Sequence, residues 1–350
     1  MTTLPKFSLA PDYAISRVIR GGWQLAGGHG AIDKKAAVED LIATAEAGIT
    51  TFDCADIYTG VEEIIGAFRK AYADKHGSEA LDAIHVHTKC VPDLDKLSRL
   101  TRPLLQETID RSRARLGVER LDLVQFHWWD YEQGDWLQTM HWLHEFQQEG
   151  RLRFLSCTNF DSDHVASMKA DGLPLTTIQL QYSLLDHRPE KRMAALATEH
   201  DFHFLCYGTV AGGFLSDRWL GVAEPEGDLE NRSLIKYKLI IEDFGGWDLF
   251  QSLLQSLRTI ADRHDTDIST IASAAILARP AVAGVIVGAR NRSHLAANLG
   301  IGAVTLTPDD MAAIDTILSQ STPLEGDVYS LERDRFGRHG SIMKYNLNKE

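Results

Sequence analysis

The chain runs to 350 residues, 44% of them apolar, and its 49 acidic against 36 basic residues leave a formal charge of -13. That balance argues against nucleic acid or an anionic membrane surface as a partner, while leaving room for a local basic site for an anionic cofactor. The most apolar region, residues 271–289, is interrupted by Arg279-Pro280, which suits a helix followed by a buried strand and not a membrane span.

Residues 1–6 carry no basic segment followed by an apolar core, so no secretory leader is read there. The repeat opens at 18–24, a strand ending in glycines. A helix is expected over 33–47, capped by Asp33 and stopped by Gly48. A short strand at 50–53 leads to a helix at 61–72, and a strand at 84–89 to a helix at 101–116, with Thr101 as its cap and Gly117 closing it. Residues 121–126 and 136–148 make the next pair, the helix ended by Gly150. The pattern continues as strand 154–157, helix 162–170, strand 177–180, helix 189–200 and strand 204–207. Helices at 249–263 and 268–278 precede the last strand-like run, 282–287, and a further helix covers 308–318.

Eight apolar runs alternating with helices predict a (β/α)8 barrel spanning 1–350 as one domain, with its chemistry at the carboxyl ends of the strands. The rival doubly wound sheet lacks its phosphate fingerprint, since no Gly-x-Gly-x-x-Gly follows the first strand. Two pieces fall outside the repeat: a long loop at 215–247 after the seventh strand, with the length of a functional lid or of structural decoration, and a tail at 322–350. Cys54, Cys90, Cys157 and Cys206 lie far apart and beside strand-like runs, as small buried hydrophobes do, and a reduced cytoplasmic setting is expected.

The chemistry gathers at three strand ends. Asp53 closes one strand and Tyr58 follows in its loop; Lys89 ends the next strand and His127 the one after. A phenol has a pKa of about 10 in water, and a neighbouring cation is what makes it a usable acid. Together these four are the parts needed to hand a proton to a carbonyl oxygen. A different class of reading starts from His85-Val86-His87, whose alternate residues share a strand face at metal-ligand spacing, as in metal-dependent barrel hydrolases. Against it, only His127 stands at a later strand end, and His85 and His87 sit progressively deeper than Lys89, so no metal is expected.

Several separated motifs carry a resemblance: Gly22-Trp23-Gln24, the run from Phe52 to Tyr58, Thr88-Lys89, Phe126-His127-Trp128, Cys157-Thr158-Asn159-Phe160, the run from Ile178 to Tyr182, and Ile286-Val287-Gly288-Ala289-Arg290. In their order and strand-end placement the chain resembles the aldo-keto reductase family from about residue 18 to about residue 300. The resemblance implies a catalytic tetrad of Asp53, Tyr58, Lys89 and His127, with Tyr58 as proton donor and His127 hydrogen-bonding the substrate carbonyl. It further implies that Thr158, Asn159 and Gln179 bind the nicotinamide carboxamide and that Tyr207 stacks on the nicotinamide ring. By the same resemblance Gly208 opens a segment passing the pyrophosphate, and Gly288, Arg290, His294 and Asn298 line the adenosine end. The expected activity is reduction of an aldehyde or ketone with NADP(H), or alternatively NAD(H). Trp23, Trp128 and Trp129, with the long loop and the tail near Tyr329, are read either as an aromatic cleft for a sugar or planar ring or as cover for the barrel rim. Related barrels that bind the cofactor but turn over slowly as regulatory subunits are the non-enzymatic alternative.

Overall fold

The computed structural model describes residues 4–27, 32–227, 229–289 and 291–348. Eight parallel strands form a closed ring: β3 (Val18–Gly21), β4 (Thr51–Asp53), β5 (His85–Cys90), β6 (Leu121–Phe126), β7 (Leu152–Thr158), β8 (Leu175–Gln181), β9 (His203–Tyr207) and β10 (Val282–Gly288), with β10 returning to pair with β3. A ring of parallel strands covered by helices is buried on both faces. Accordingly β3, β4 and β5 are buried at every residue, a run in which alternation of apolar and polar residues has no meaning.

An antiparallel hairpin of β1 (Lys6–Ala10) and β2 (Tyr13–Ser16) precedes the ring, and the sequence reading did not find it. It shuts the amino-terminal end of the barrel. Tyr13 packs with Ile15, Ile19, Leu205 and Ala283, its ring lies 4.2 Å from that of His85, and its hydroxyl meets His87 Nε2 at 3.1 Å. The two histidines of the metal reading therefore pack against this floor, deeper in the barrel than Lys89.

The outer layer begins with α1 (Lys34–Glu46), where Asp33 accepts from the backbone N–H groups of Lys35 and Ala36 as the sequence predicts. It continues with α2 (Val61–His76), α3 (Arg102–Leu116), α4 (Trp136–Gln148), α5 (Ser162–Ala170) and α6 (Arg192–His200). Thr101 precedes α3 without capping it through its side chain, while Gly117 closes that helix in the left-handed region at φ 66°.

Residues 215–247 are not a continuous loop. They contain α7 (Arg232–Phe244), capped by Asn231 and burying Leu234, Tyr237, Ile240, Ile241 and Phe244 at helical spacing. Trp219 and Trp247 pack edge to face at 5.9 Å, and Phe214 and Phe250 join them. The aromatics of this stretch, Trp219, Tyr237, Phe244 and Trp247, are thus buried in the core. Then come α8 (Gly246–Arg263), α9 (Ile268–Leu277), α10 (Leu295–Ala303), α11 (Pro308–Leu318) and, in the tail, α12 (Ser330–Arg333). Among the described residues no helix is long and apolar enough to cross a membrane.

Candidate active site

Strand register brings the predicted residues together. β4 pairs with β5 so that Asp53 stands opposite His87, and Lys89, two residues on, reaches past the end of β4. Its Nζ donates to Asp53 Oδ2 at 2.6 Å and to the Cys54 carbonyl at 2.9 Å. The other carboxylate oxygen of Asp53 accepts from Gln125 Nε2 at 3.0 Å and Gln179 Nε2 at 2.6 Å. Burial opposes a charge on Lys89, but Asp53 outweighs it and holds the ammonium above the ordinary lysine range.

Tyr58 sits across from this pair, the Lys89 Nζ 5.0 Å from the centre of its ring. Burial pushes the phenol above its ordinary pKa while the Lys89 charge pulls the other way, so the side chain carries its proton. The sequence reading foresaw the pull of Lys89 and not the larger effect of burial. Asp56 fixes the turn that carries Tyr58, accepting from the N–H of Ile57 at 2.9 Å and of Val91, just past β5, at 3.1 Å.

His127 follows β6 and is buried. Its Nδ1 faces the Thr158 carbonyl at 3.1 Å, and since a carbonyl only accepts, Nδ1 bears the hydrogen. Burial, then the Arg333 cation, lowers its pKa to about 3, so the ring is neutral and Nε2 presents a lone pair. This departs from the resemblance, in which His127 serves the substrate carbonyl as a donor.

A cavity of about 320 Å³ at the carboxyl end of the barrel is lined by Asp53, Tyr58, Lys89 and His127 together with Thr158, Asn159, Gln179, Tyr207, Gly208 and Gly288. Asn159 takes φ 62°, held there by Tyr207 Oη donating to its Oδ1 at 2.9 Å and by Arg333 donating to its carbonyl at 2.8 Å. Gln179 spends both amide hydrogens on Asp53 and Gln125, which leaves Oε1 for any bond into the cavity. Gly208, at φ 79°, packs so closely on Tyr237 that a Cβ would run into the phenol oxygen. His294, exposed, and Asn298, buried, stand at the start of α10 and do not line the cavity; Arg290 lies outside the described residues. Of the three tryptophans, Trp23 and Trp129 line the cavity, whereas Trp128 is buried behind it.

Sequence reasoning missed Arg232 and Lys236, which line the cavity beside Gly208 and Gly212 and lie one helical turn apart on α7. Recognising α7 from its apolar period would have exposed them. Lys236 Nζ lies 5.5 Å from the Tyr207 ring and 3.3 Å from Glu332, which also pairs with Arg188 at 3.1 Å. Burial works against the charge on Glu332, but Arg188 and Lys236 prevail and hold its carboxyl well below the usual range. No spacing signal announces such a contact across 144 residues. Among the described residues, no group of three or more His, Cys, Asp or Glu side chains is arranged to hold a metal ion.

A neutral acid beside a buried, paired cation, at the carboxyl end of a closed parallel barrel, defines an oxidoreductase-type site for a small molecule. The sequence model of the Aldo/keto reductase family matches residues 17–319, and the chain belongs to that family. It is 27% identical over 317 residues to an aldo-keto reductase, YhdN, of Bacillus subtilis, covering 87% of this chain and 91% of that one. With the NADH-specific methylglyoxal reductase of Escherichia coli the identity is 23% over 319 residues, covering 85% and 93%. The glycerol dehydrogenase AKR11B4 of Gluconobacter oxydans superimposes with a TM-score of 0.73 at 24% identity, covering 93% and 96% of the two chains, and so matches in fold.

Proposed function

We propose that the protein reduces a small aldehyde or ketone to the alcohol with a nicotinamide cofactor, NADPH in preference to NADH, and that Tyr58 delivers the proton. The observation that carries this reading is Lys89, fixed by Asp53 at 2.6 Å and held 5.0 Å from the Tyr58 ring inside the cavity. As the phenol gives up its proton to the carbonyl oxygen, the ammonium stabilises the phenolate that forms, and the Asp53 carboxylate holds Lys89 charged and in place beside it. When bound, the reduced nicotinamide supplies the hydride that the carbonyl carbon receives.

The residues fit such a cofactor. Thr158 Oγ1 is buried without a partner among the described residues beside Asn159 and the free Oε1 of Gln179, a set suited to a carboxamide. Tyr207 offers a ring face, and the cations Arg232 and Lys236 stand where Gly208 and Gly212 bring the backbone to the cavity, as two phosphates require. His294, at the head of α10, is our candidate for the 2′-phosphate of NADPH. One relative is named as NADH-specific, so both nucleotides belong in the test.

A panel of aldehydes and ketones, followed at the reduced-nicotinamide absorbance with each nucleotide, is expected to give turnover that is greater with NADPH. Tight nucleotide binding with no turnover of any carbonyl would instead make the protein a binding subunit.

A further inference from the structure

A second cavity, of about 300 Å³, shares no lining residue with the first. It lies between the turn after β8, the carboxyl ends of α7 and α11, and the first residues of the tail, with Arg279 reaching it from just past α9. Leu185, Phe244, Leu318 and Leu324 give it apolar surface, and Lys191 and Arg279 bring cations to its wall. Arg279 Nη2 donates to Asp315 Oδ1 at 2.8 Å, but its Nε is buried and makes no hydrogen bond among the described residues. Glu190 Oε1, 3.8 Å from that Nε, already meets Tyr182 Oη at 2.5 Å and His187 Nδ1 at 3.0 Å. Native proteins rarely leave such a donor unmatched, because desolvating it without a new bond costs stability. Lys191 Nζ donates to the Leu324 carbonyl at 2.9 Å and to that of Gly326 at 3.5 Å, and an ammonium has a third hydrogen to give.

Both groups are cationic donors, so they call for an acceptor, and a charged acceptor gains most from them. Glu190 and Asp315 stand in the same wall and limit the charge that fits. A carboxylate brings one negative charge, whereas a phosphate near neutral pH brings closer to two. The apolar surface suits a short hydrocarbon body on that carboxylate.

The second cavity is joined to the first by two routes. Thr322, Pro323 and Leu324 form part of its wall, and the same segment continues to Tyr329, which lines the first cavity. Arg188, also in the wall, donates to Glu332 at 3.1 Å, and Glu332 pairs at 3.3 Å with Lys236 of the first cavity. A ligand packed against Leu324 and held by Lys191 therefore favours the docked tail.

We propose that this cavity is an effector site for a small monocarboxylate with an apolar body. Its carboxylate accepts from Arg279 Nε and Lys191 Nζ, and its binding braces the root of the tail and so tightens nucleotide in the first cavity. The site itself stands apart from the reductase reading; only its coupling to nucleotide rests on that reading.

Hexanoate is the probe. Wild type is expected to bind it in calorimetric titration with a Kd of about 1 mM or lower. Arg279→Met and Ser319→Trp, the latter setting an indole in the cavity from its exposed rim, are expected to lose that binding. Saturating hexanoate is expected to lower the Kd of NADPH by at least about threefold in wild type and in neither variant, and linkage requires NADPH to tighten hexanoate by the same factor. Hexan-1-ol and inorganic phosphate are expected to do neither. Arg279→Met also strips Asp315 of its partner, so Ser319→Trp decides where that variant does not fold. No binding, binding unchanged in Ser319→Trp, or an equal response to hexan-1-ol overturns the site. An NADPH affinity indifferent to bound hexanoate overturns the coupling. Failure of either nucleotide to bind overturns the reductase reading and the coupling with it, while the hexanoate titrations still decide the site.

Discussion

Replacing Lys89 by methionine keeps the length of the side chain and removes its charge, which stands 5.0 Å from the centre of the Tyr58 ring. At an effective dielectric of about 20, opposite unit charges that far apart attract by about 3 kcal/mol, or about a hundredfold in the ease of ionising Tyr58. Burial already holds the phenol above its ordinary pKa and Lys89 is the chief counterweight, so the variant moves it further up. Alcohol oxidation needs the phenolate and rises with pH; in Lys89→Met that rise is expected at higher pH. Carbonyl reduction, in which the phenolate is formed, is expected to slow by up to about a hundredfold. The substitution also strands the Asp53 carboxylate with only Gln125 and Gln179, which is expected to cost about 3–5 kcal/mol of stability and would lower activity for an unrelated reason. The double variant Asp53→Asn/Lys89→Met separates the two effects: stability recovers, turnover does not. An unchanged pH profile in Lys89→Met, or full turnover in the folded double variant, would refute the tuning argument.

Tyr58→Phe is expected to lower kcat by about a hundredfold or more with nucleotide binding intact by fluorescence titration; turnover near wild type removes Tyr58 from its role. Glu332→Gln takes from Lys236 its buried counter-charge and leaves Arg188 with Asp186 alone, and is expected to cost about 3–5 kcal/mol at pH 7. The folded-state pKa of Glu332 is depressed, so its contribution is present above the ordinary carboxylate range and is lost as pH falls below it. Denaturation of wild type and Glu332→Gln should therefore converge on acidification, and a gap independent of pH would show that shape, not charge, holds the tail. His294→Arg is expected to tighten NADPH by about tenfold and leave NADH alone, read as dissociation constants; an equal effect on both nucleotides places the 2′-phosphate elsewhere.

The barrel and its four strand-end residues were legible because their placement is local: each follows a short apolar run, and register between adjacent strands does the rest. Long-range features were not. The hairpin under the barrel escaped because a short strand whose partner is only its neighbour gives little periodic signal, and α7 because its charges hid a regular apolar stripe. The direction of the Tyr58 shift was half legible. Sequence named the cation that lowers it, but the extent of burial that outweighs the cation exists only in the packed structure. The tautomer of His127 likewise depends on which carbonyl its Nδ1 meets, and Thr158 is 31 residues away.

The matched family region ends at residue 319, yet Tyr329, Met343, Lys344 and Leu347 line the cavity. Those tail residues are positioned differently from the tetrad. Asp53 and Lys89 are fixed by hydrogen-bonded neighbouring strands, and His127 follows β6 with its backbone N–H on the Cys90 carbonyl. The tail is instead tied to the barrel by separate side chains: Glu332 to Arg188 and Lys236, Arg333 to the carbonyls of Trp128 and Asn159, and Asp93 to the backbone N–H of Leu347 at 2.8 Å. Arg333 connects the two systems. It holds Asn159 in its strained conformation and its charge helps keep His127 neutral. Docking of the tail therefore adds to what burial and the Thr158 carbonyl already impose on a barrel residue. A change in the anchors therefore reaches Asn159 and His127 through Arg333, while the Asp53 and Lys89 geometry stays as the strands dictate.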